Sequence, residues 1–335
     1  MANKTFIIAE AGVNHNGSLG AARKMVYAAA KSGADGIKFQ TFIAGAIATK
    51  SAPQAEYQKR AAKGFRSQFQ MLKKLELNKG AFIKLQAHCK KMRIEFMSSA
   101  FDIESLNFLS RLGLRTLKIP SGEIDNVPYL RKAGALKRKI LLSTGMSDLD
   151  EVREAIKILV SCGTRKDDIT IMQCTTAYPA PFENANLNAM LTMKKVLGVN
   201  VGYSDHTPGT EMAIAAVALG ATVIEKHFTL DKNMRGPDHR ASLEPREFNE
   251  MVSAVRNVEK GLGDGIKRPL AAELKNRDIV RKSIVAARHI GKGEEFFEAN
   301  ITTKRPAYGM SPIKWDSVIG RRAKRTYKKD EFIIL

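Results

Sequence analysis

Over the first 260 or so residues, short apolar runs alternate with longer stretches whose apolar residues recur at helical spacing. "TFIIAE" leads into "GAARKMVYAAAKSG" and then "DGIKFQ". A polar, interrupted region at 45–67 breaks the rhythm, which resumes with "GAFIKLQAHCKKMR" and "IEFMSS", then "IESLNFLSRLG" and "RTLKIPS". "VPYLRKAGAL" precedes "KILLSTG", and "LDEVREAIKILVSCG" precedes "DITIMQCT". The series closes with "NLNAMLTMKKVLG", "NVGYSD", "GTEMAIAAVALG", "TVIEKHF" and "PREFNEMVSAVRNVEKGLG". Eight strand-then-helix units in this length predict an α/β fold, a (β/α)8 barrel. Gly33, Gly113, Gly163, Gly198 and Gly220 end helical runs just before the next strand, as helix termination favours. A doubly wound open sheet is the alternative, but no glycine-rich dinucleotide fingerprint follows the first strand.

After Gly263 the pattern changes. Residues 264–280, "DGIKRPLAAELKNRDIV", read as a partly helical linker, and from Arg281 short β-like segments with a "GKGE" turn dominate. The expected organisation is a barrel over 1–263, a linker over 264–280, and a small β-rich domain over 281–335. A domain that short usually leans on a neighbour for stability.

Composition narrows the function. No run approaches the ~20 apolar residues of a membrane span, and "MANKTFIIAEAG" lacks a signal-peptide pattern. Cys89, Cys162 and Cys174 are odd in number and unpaired in spacing, which suggests a reducing, cytoplasmic setting. The net charge of +21 is high. No finger, zipper or RNA-binding signature accompanies it, so the expectation is no nucleic acid but anionic small-molecule substrates and solvated lysines.

Barrel active sites form at the C-terminal ends of strands. Here those ends carry Glu10, Lys38 with Gln40, Ser98 with Ser99, Lys118 with Ser121, Ser143, Thr176 with Tyr178, Ser204 with His206, and Glu225 with His227. Lysines inside strands are costly unless paired or used. Lys38 and Lys118 can pair with Glu10 or Glu225, or with strand-end serines they can cradle a phosphate or carboxylate. A strand-end serine more commonly bonds local backbone. His206 and His227 end successive strands about 5 Å apart, so one ion can be shared. Spacing alone leaves structure and metal binding both open.

These strand ends resemble one family. "IIAEAGVNHNG", "KFQTF", "KIPSGE", "ILLSTGM", "CTTAYPAP", "GYSDHT", "EKHFTLDKNMRGPDH" and "KRPAYG" are similar, in order and over nearly the whole chain, to the sialic acid synthase family. The resemblance implies condensation of phosphoenolpyruvate with a 2-acetamido-mannose-type sugar, and a C-terminal antifreeze-like (SAF) domain in a domain-swapped homodimer. It makes His206 and His227 ligands of a divalent metal, Mn2+ or Mg2+. It assigns phosphoenolpyruvate to Lys38, Ser99, Lys118, Ser121, Ser143, Thr176 and Ser204. The sugar falls to Glu10, Gln40, Tyr178, Asp238 and a partner-derived Arg305, with Glu10 and Glu225 as candidate acid/base carboxylates.

Departures point within the family. Ala100 stands where a proline is common, Gln173 where a histidine is, and Thr176 where an asparagine is. "CTT.YPAPF", "EKHFTLDKN" and "VRKS" look more like the legionaminic acid branch, whose sugar is 2,4-diacetamido-2,4,6-trideoxymannose. N-acetylneuraminic and pseudaminic acid synthases are the alternatives.

Overall fold

The computed structural model describes residues 4–61 and 64–335. The expected barrel is present. Eight parallel strands form it: β1 (Phe6–Gly12), β2 (Gly36–Thr41), β3 (Glu95–Ala100), β4 (Thr116–Ile119), β5 (Lys139–Ser143), β6 (Ile169–Gln173), β7 (Asn200–Asp205) and β8 (Val223–His227). Each pairs with the next and β8 pairs with β1, so the sheet closes. Closure removes every free edge.

The surrounding helices form for local reasons. Leu149–Ser161 begins in a capping box between Asp148 and Glu151 and turns Val152, Ala155, Ile156 and Leu159 inward. Lys79–Met92 starts at Asn78, whose side chain accepts from the Ala81 N–H. All five glycines expected at helix ends have positive φ, from 61° at Gly198 to 111° at Gly163. The core between sheet and helices is mostly apolar.

Inside the barrel the bottom is also apolar. Ile8, Met97, Leu141, Met172 and Val223 fill it. Two strand glycines make that packing possible. A Cβ on Gly202 would lie 2.5 Å from the Met172 sulfur and 2.6 Å from the Val223 carbonyl oxygen. One on Gly36 would lie 3.1 Å from the Met97 sulfur.

The described residues of the region at 45–67 carry more regular structure than its polar, interrupted sequence suggests. Helices Ala44–Ile47 and Glu56–Ala61 lie within or beside it, followed by Gln68–Leu75. Phe42, Met71 and Leu75 bury against Val13 from the first loop, forming a small apolar cluster.

The chain divides into two compact units, the second being Gly265–Leu335. It opens with the exposed helix Ala271–Val280 and carries an antiparallel pair, β9 (Ser283–Ala286) and β10 (Ile301–Lys304). Its own core is Ile284, Ala286, Ile290, Phe296, Ile301, Val318, Ala323, Tyr327 and Ile333. No helix among the described residues is long and apolar enough to cross a membrane.

Candidate active site

Strand alternation sends every second side chain into the barrel. One inward step above the apolar bottom, the residue types change to Glu10, Ser99, Ser143, Cys174 and Glu225. They line a cavity of about 330 Å³ at the C-terminal ends of the strands. Lys38, Gln40, Lys118, Ser121, Thr176, Tyr178, Ser204, His206, His227 and Asp238 line it too.

Four buried charges form its floor. Lys38 Nζ lies 2.8 Å from Glu10 Oε2 and 3.7 Å from Glu225 Oε2, and it donates to Ser99 Oγ at 3.0 Å. Lys118 Nζ donates to Glu225 Oε1 at 2.9 Å, and the Ser204 hydroxyl donates to the same oxygen at 3.0 Å. Gln40 Nε2 donates to Glu10 Oε1 at 3.3 Å. Two ammoniums and two carboxylates therefore share one water-poor space with matched charge. The lysines are paired with the carboxylates, and they also face the cavity.

The two carboxylates are driven apart. Burial pushes Glu10 up, and Lys38 only partly offsets it. Burial also opposes the Glu225 charge, but Lys118 and then Lys38 outweigh it and hold that carboxyl well below the usual range. Burial opposes the Lys38 charge as well, yet Glu10 and Glu225 together keep its pKa above the ordinary value. Asp238, enclosed above Gly12, is raised by burial to about 6 against a lowering pull from Lys38. Gly12 has φ +50° and a Cβ there would crowd Glu10 Oε1 at 3.2 Å and Gln40 Nε2 at 3.4 Å, so glycine suits this position.

On one wall, rings gather. His206 and His227 have centroids 5.3 Å apart, and Tyr178 sits 4.2 Å from His206 and 5.6 Å from His227. Tyr57, from the helix Glu56–Ala61, continues the row at 4.9 Å from Tyr178. His206 Nδ1 is 2.6 Å from the Thr175 carbonyl oxygen, which can only accept, so Nδ1 carries the proton and the lone pair is on Nε2. Burial lowers His206 to about 4 and His227 well below its ordinary value, so both rings stay neutral. His227 Nδ1 is buried with no hydrogen-bond partner. Neutral imidazoles, one with its tautomer fixed by a carbonyl, suit a divalent ion. Among the described residues no group of three or more His, Cys, Asp or Glu is placed to hold a metal ion.

The remaining candidates sort by position. Ser121 Oγ accepts from the Gly145 N–H at 3.0 Å, and a Cβ on Gly145 would meet Thr176 Oγ1 at 2.3 Å, so these loops pack tightly together. Ser98 turns away, sharing a hydrogen bond with Thr41 Oγ1 at 2.7 Å and donating to the Phe39 carbonyl at 3.1 Å, the backbone role common for serine. Gln173 donates to the Ala185 carbonyl at 3.2 Å, bracing the loop after β6. Ala100 is buried at the end of β3, where its carbonyl accepts from the Tyr129 hydroxyl. Arg305 belongs to the second unit, exposed, with Nε donating to the Val280 carbonyl at 2.9 Å. "GVNHNG" is a brace: Asn14 donates to the Phe228 carbonyl and to Ser242.

Several lining residues were missed by strand-end reading. Ile47, Tyr57, Gln58, Gln68, Met71 and Leu72 come from the insertion after β2 and form the apolar and amide side of the cavity. Cys174 was read only for its redox chemistry, yet inward alternation from Met172 places it.

The chain matches the NeuB family over residues 25–267 and the SAF domain over residues 281–333. It is 52% identical to an N,N'-diacetyllegionaminic acid synthase of Campylobacter jejuni, covering 98% of this chain and 99% of that protein. It is 45% identical to an N,N'-diacetyllegionaminic acid synthase of Legionella pneumophila, covering 95% and 90%. Among solved structures, an N-acetylneuraminic acid (sialic acid) synthetase from Leptospira borgpetersenii aligns with a TM-score of 0.71 at 33% identity, over 82% of this chain and 90% of that one.

Proposed function

The chain belongs to the NeuB family, and from that premise we propose that it is an N,N'-diacetyllegionaminic acid synthase. It condenses phosphoenolpyruvate with open-chain 2,4-diacetamido-2,4,6-trideoxymannose and water, releasing inorganic phosphate, as a C–C bond-forming transferase. The observation that carries the reaction is the charge-matched floor of Glu10, Lys38, Glu225 and Lys118 beneath two facing imidazoles. The two relatives named for this acid support the sugar over N-acetylmannosamine or the pseudaminic precursor.

The residues divide the work as follows. Lys38 and Lys118, with the hydroxyls of Ser99, Ser121, Ser143 and Ser204 and with Thr176, hold the phosphate and carboxylate of phosphoenolpyruvate. Glu10, Gln40, Tyr178 and Asp238 orient the sugar. His206 and His227 would hold Mn2+ or Mg2+, which supplies Lewis-acid polarisation of the aldehyde carbonyl. The methylene carbon of phosphoenolpyruvate bonds to the aldehyde carbon, and the aldehyde oxygen takes a proton. Glu10 is the donor of choice, because burial favours its protonated form. Water then adds at the cationic carbon and gives one proton back to Glu10; the hydroxyl so formed collapses to the ketone as the C–O bond to phosphate breaks, and its proton leaves with the phosphate. Glu225, kept ionised, fixes both lysines and balances their charge.

The resemblance extends this reading to a homodimer in which Arg305 of a second copy reaches the sugar. A cytoplasmic location fits the free Cys89, Cys162 and Cys174. Incubation with phosphoenolpyruvate, Mn2+ and each of the three candidate sugars tests the function directly. Phosphate release should be fastest with the diacetamido-trideoxymannose, and no release with any of them sinks the reading. His227→Ala should abolish turnover with the fold intact, whereas undiminished activity in chelated buffer removes the metal. A monomeric mass in solution removes Arg305 from the site.

A further inference from the structure

On the outward side of β7 and β8, behind the cavity wall, two charges sit wholly out of water. Lys226 Nζ lies 2.7 Å from Asp205 Oδ2, and both side chains have 0% exposure. Lys226 also donates to the Thr207 carbonyl at 2.6 Å. The other Asp205 oxygen accepts from the Thr207 N–H at 2.9 Å and from its hydroxyl at 2.7 Å. Residues 205 and 207 of one strand end are thereby locked to residue 226 of the next.

The place of this lock matters more than its strength. Asp205 and Lys226 are register partners, and the pairing of β7 with β8 ends with them. His206 lies between Asp205 and Thr207, beyond the ladder, and His227 directly follows Lys226. A buried ion pair is weak evidence for stability, since apolar residues of like volume often serve as well. What it fixes is the position of one strand end against the other.

We propose that Asp205, Lys226 and Thr207 form a positioning clamp that sets the separation of the His206 and His227 imidazoles. This inference rests on the reading that those two rings hold a divalent ion. Asp205 and Lys226 are positioning residues, not catalytic ones, and act only through the backbone they tie.

The test separates placement from stability. Asp205→Asn with Lys226→Met removes both charges, keeps an acceptor for the Thr207 N–H, and preserves volume. Mn2+ binding is read from the EPR signal of free ion, and folding from thermal melting. The double variant should melt near the wild-type temperature and bind Mn2+ about 10–100-fold more weakly, as loss of outer supports does elsewhere. Leu159→Ala, a cavity in a helix outside the clamp, should lower the melting temperature and leave Mn2+ affinity unchanged. Wild-type affinity in a folded double variant overturns the clamp. If that variant fails to fold, Thr207→Val deletes only the hydroxyl bond to Asp205, and unchanged affinity there overturns it equally. A wild-type protein that leaves Mn2+ free sinks the metal reading and the clamp with it.

Discussion

Ile8 lies two positions before Glu10, as do Met97 before Ser99, Leu141 before Ser143, Met172 before Cys174 and Val223 before Glu225. In each case the first lies in the apolar bottom of the barrel and the second lines the cavity above it. The same strands, with the same backbone bonding, thus build a layer suited to stability and a layer suited to chemistry. The bottom gains from area removed from water. The upper layer takes four charges into a space where their desolvation offsets much of their attraction. Its retention makes physical sense only through what it binds.

Breaking the upper layer should therefore give the largest functional loss and the least structural one. Lys118→Met with Glu225→Leu removes a buried pair and substitutes apolar volume. Turnover should fall by on the order of 10³-fold or more, while urea melts show stability unchanged or raised. A double variant that is clearly destabilised would mean the charges hold the barrel together, and the contrast between layers would fail.

The reverse experiment acts one step lower. Leu141→Ala opens a cavity among Ile8, Met97, Met172 and Val223, and should cost about 2–5 kcal/mol in denaturant unfolding. Under conditions where the protein remains folded, its kcat/KM should stay within a few-fold of wild type. A large kinetic loss at full folding would show that the bottom layer also tunes the site.

How much of this was legible beforehand follows the same division. Period-two alternation and strand-end position located Glu10, Lys38, Lys118, Glu225 and both histidines, because a charge inside a strand announces itself. The same alternation, applied strictly, separates Ser98 from Ser99, since adjacent residues face opposite sides. It also marks Lys226 as outward-facing between Glu225 and His227, a signal present in the sequence but unused. The wall from the β2 insertion was not legible. Ile47, Tyr57 and Met71 occupy a segment with no single period to orient it, and what places them is tertiary contact with Phe42 and Val13. The role of Arg305 rests on resemblance alone, because no pattern within one chain specifies a second copy.

Asp238 offers a pH test of the difference between layers. Its pKa is raised by burial from 3.8 in the unfolded chain to about 6. A raised carboxylate weakens folding once pH passes the unfolded value, because the unfolded chain loses the proton first, and the penalty is complete above the folded pKa. Asp238→Asn should then stabilise the protein by about 2–3 kcal/mol at pH 8 and by almost nothing at pH 3. Melting curves at the two pH values measure it. Equal effects at both would mean the carboxylate is not the source of the cost.

The smallest expected effect lies at Thr176, which lines the cavity. Thr176 is exposed at the cavity rim, yet its hydroxyl is close to the loop after β5: a Cβ on Gly145 would fall 2.3 Å from Thr176 Oγ1 and 3.0 Å from Ser121 Oγ. An asparagine side chain is longer and planar, and it replaces the hydroxyl that lies beside the Gly145 loop, whose N–H is bonded to Ser121. Thr176→Asn should raise KM for phosphoenolpyruvate a few-fold, equivalent to about 1 kcal/mol, and leave kcat and the melting temperature nearly unchanged. The ratio of sugar specificities should not move, because Thr176 is on the phosphoenolpyruvate side of the proposed site. A change in sugar preference with constant KM for phosphoenolpyruvate would transfer Thr176 to the sugar side. It would also show that the upper layer is divided differently between the two substrates than the placement of its lysines and serines implies.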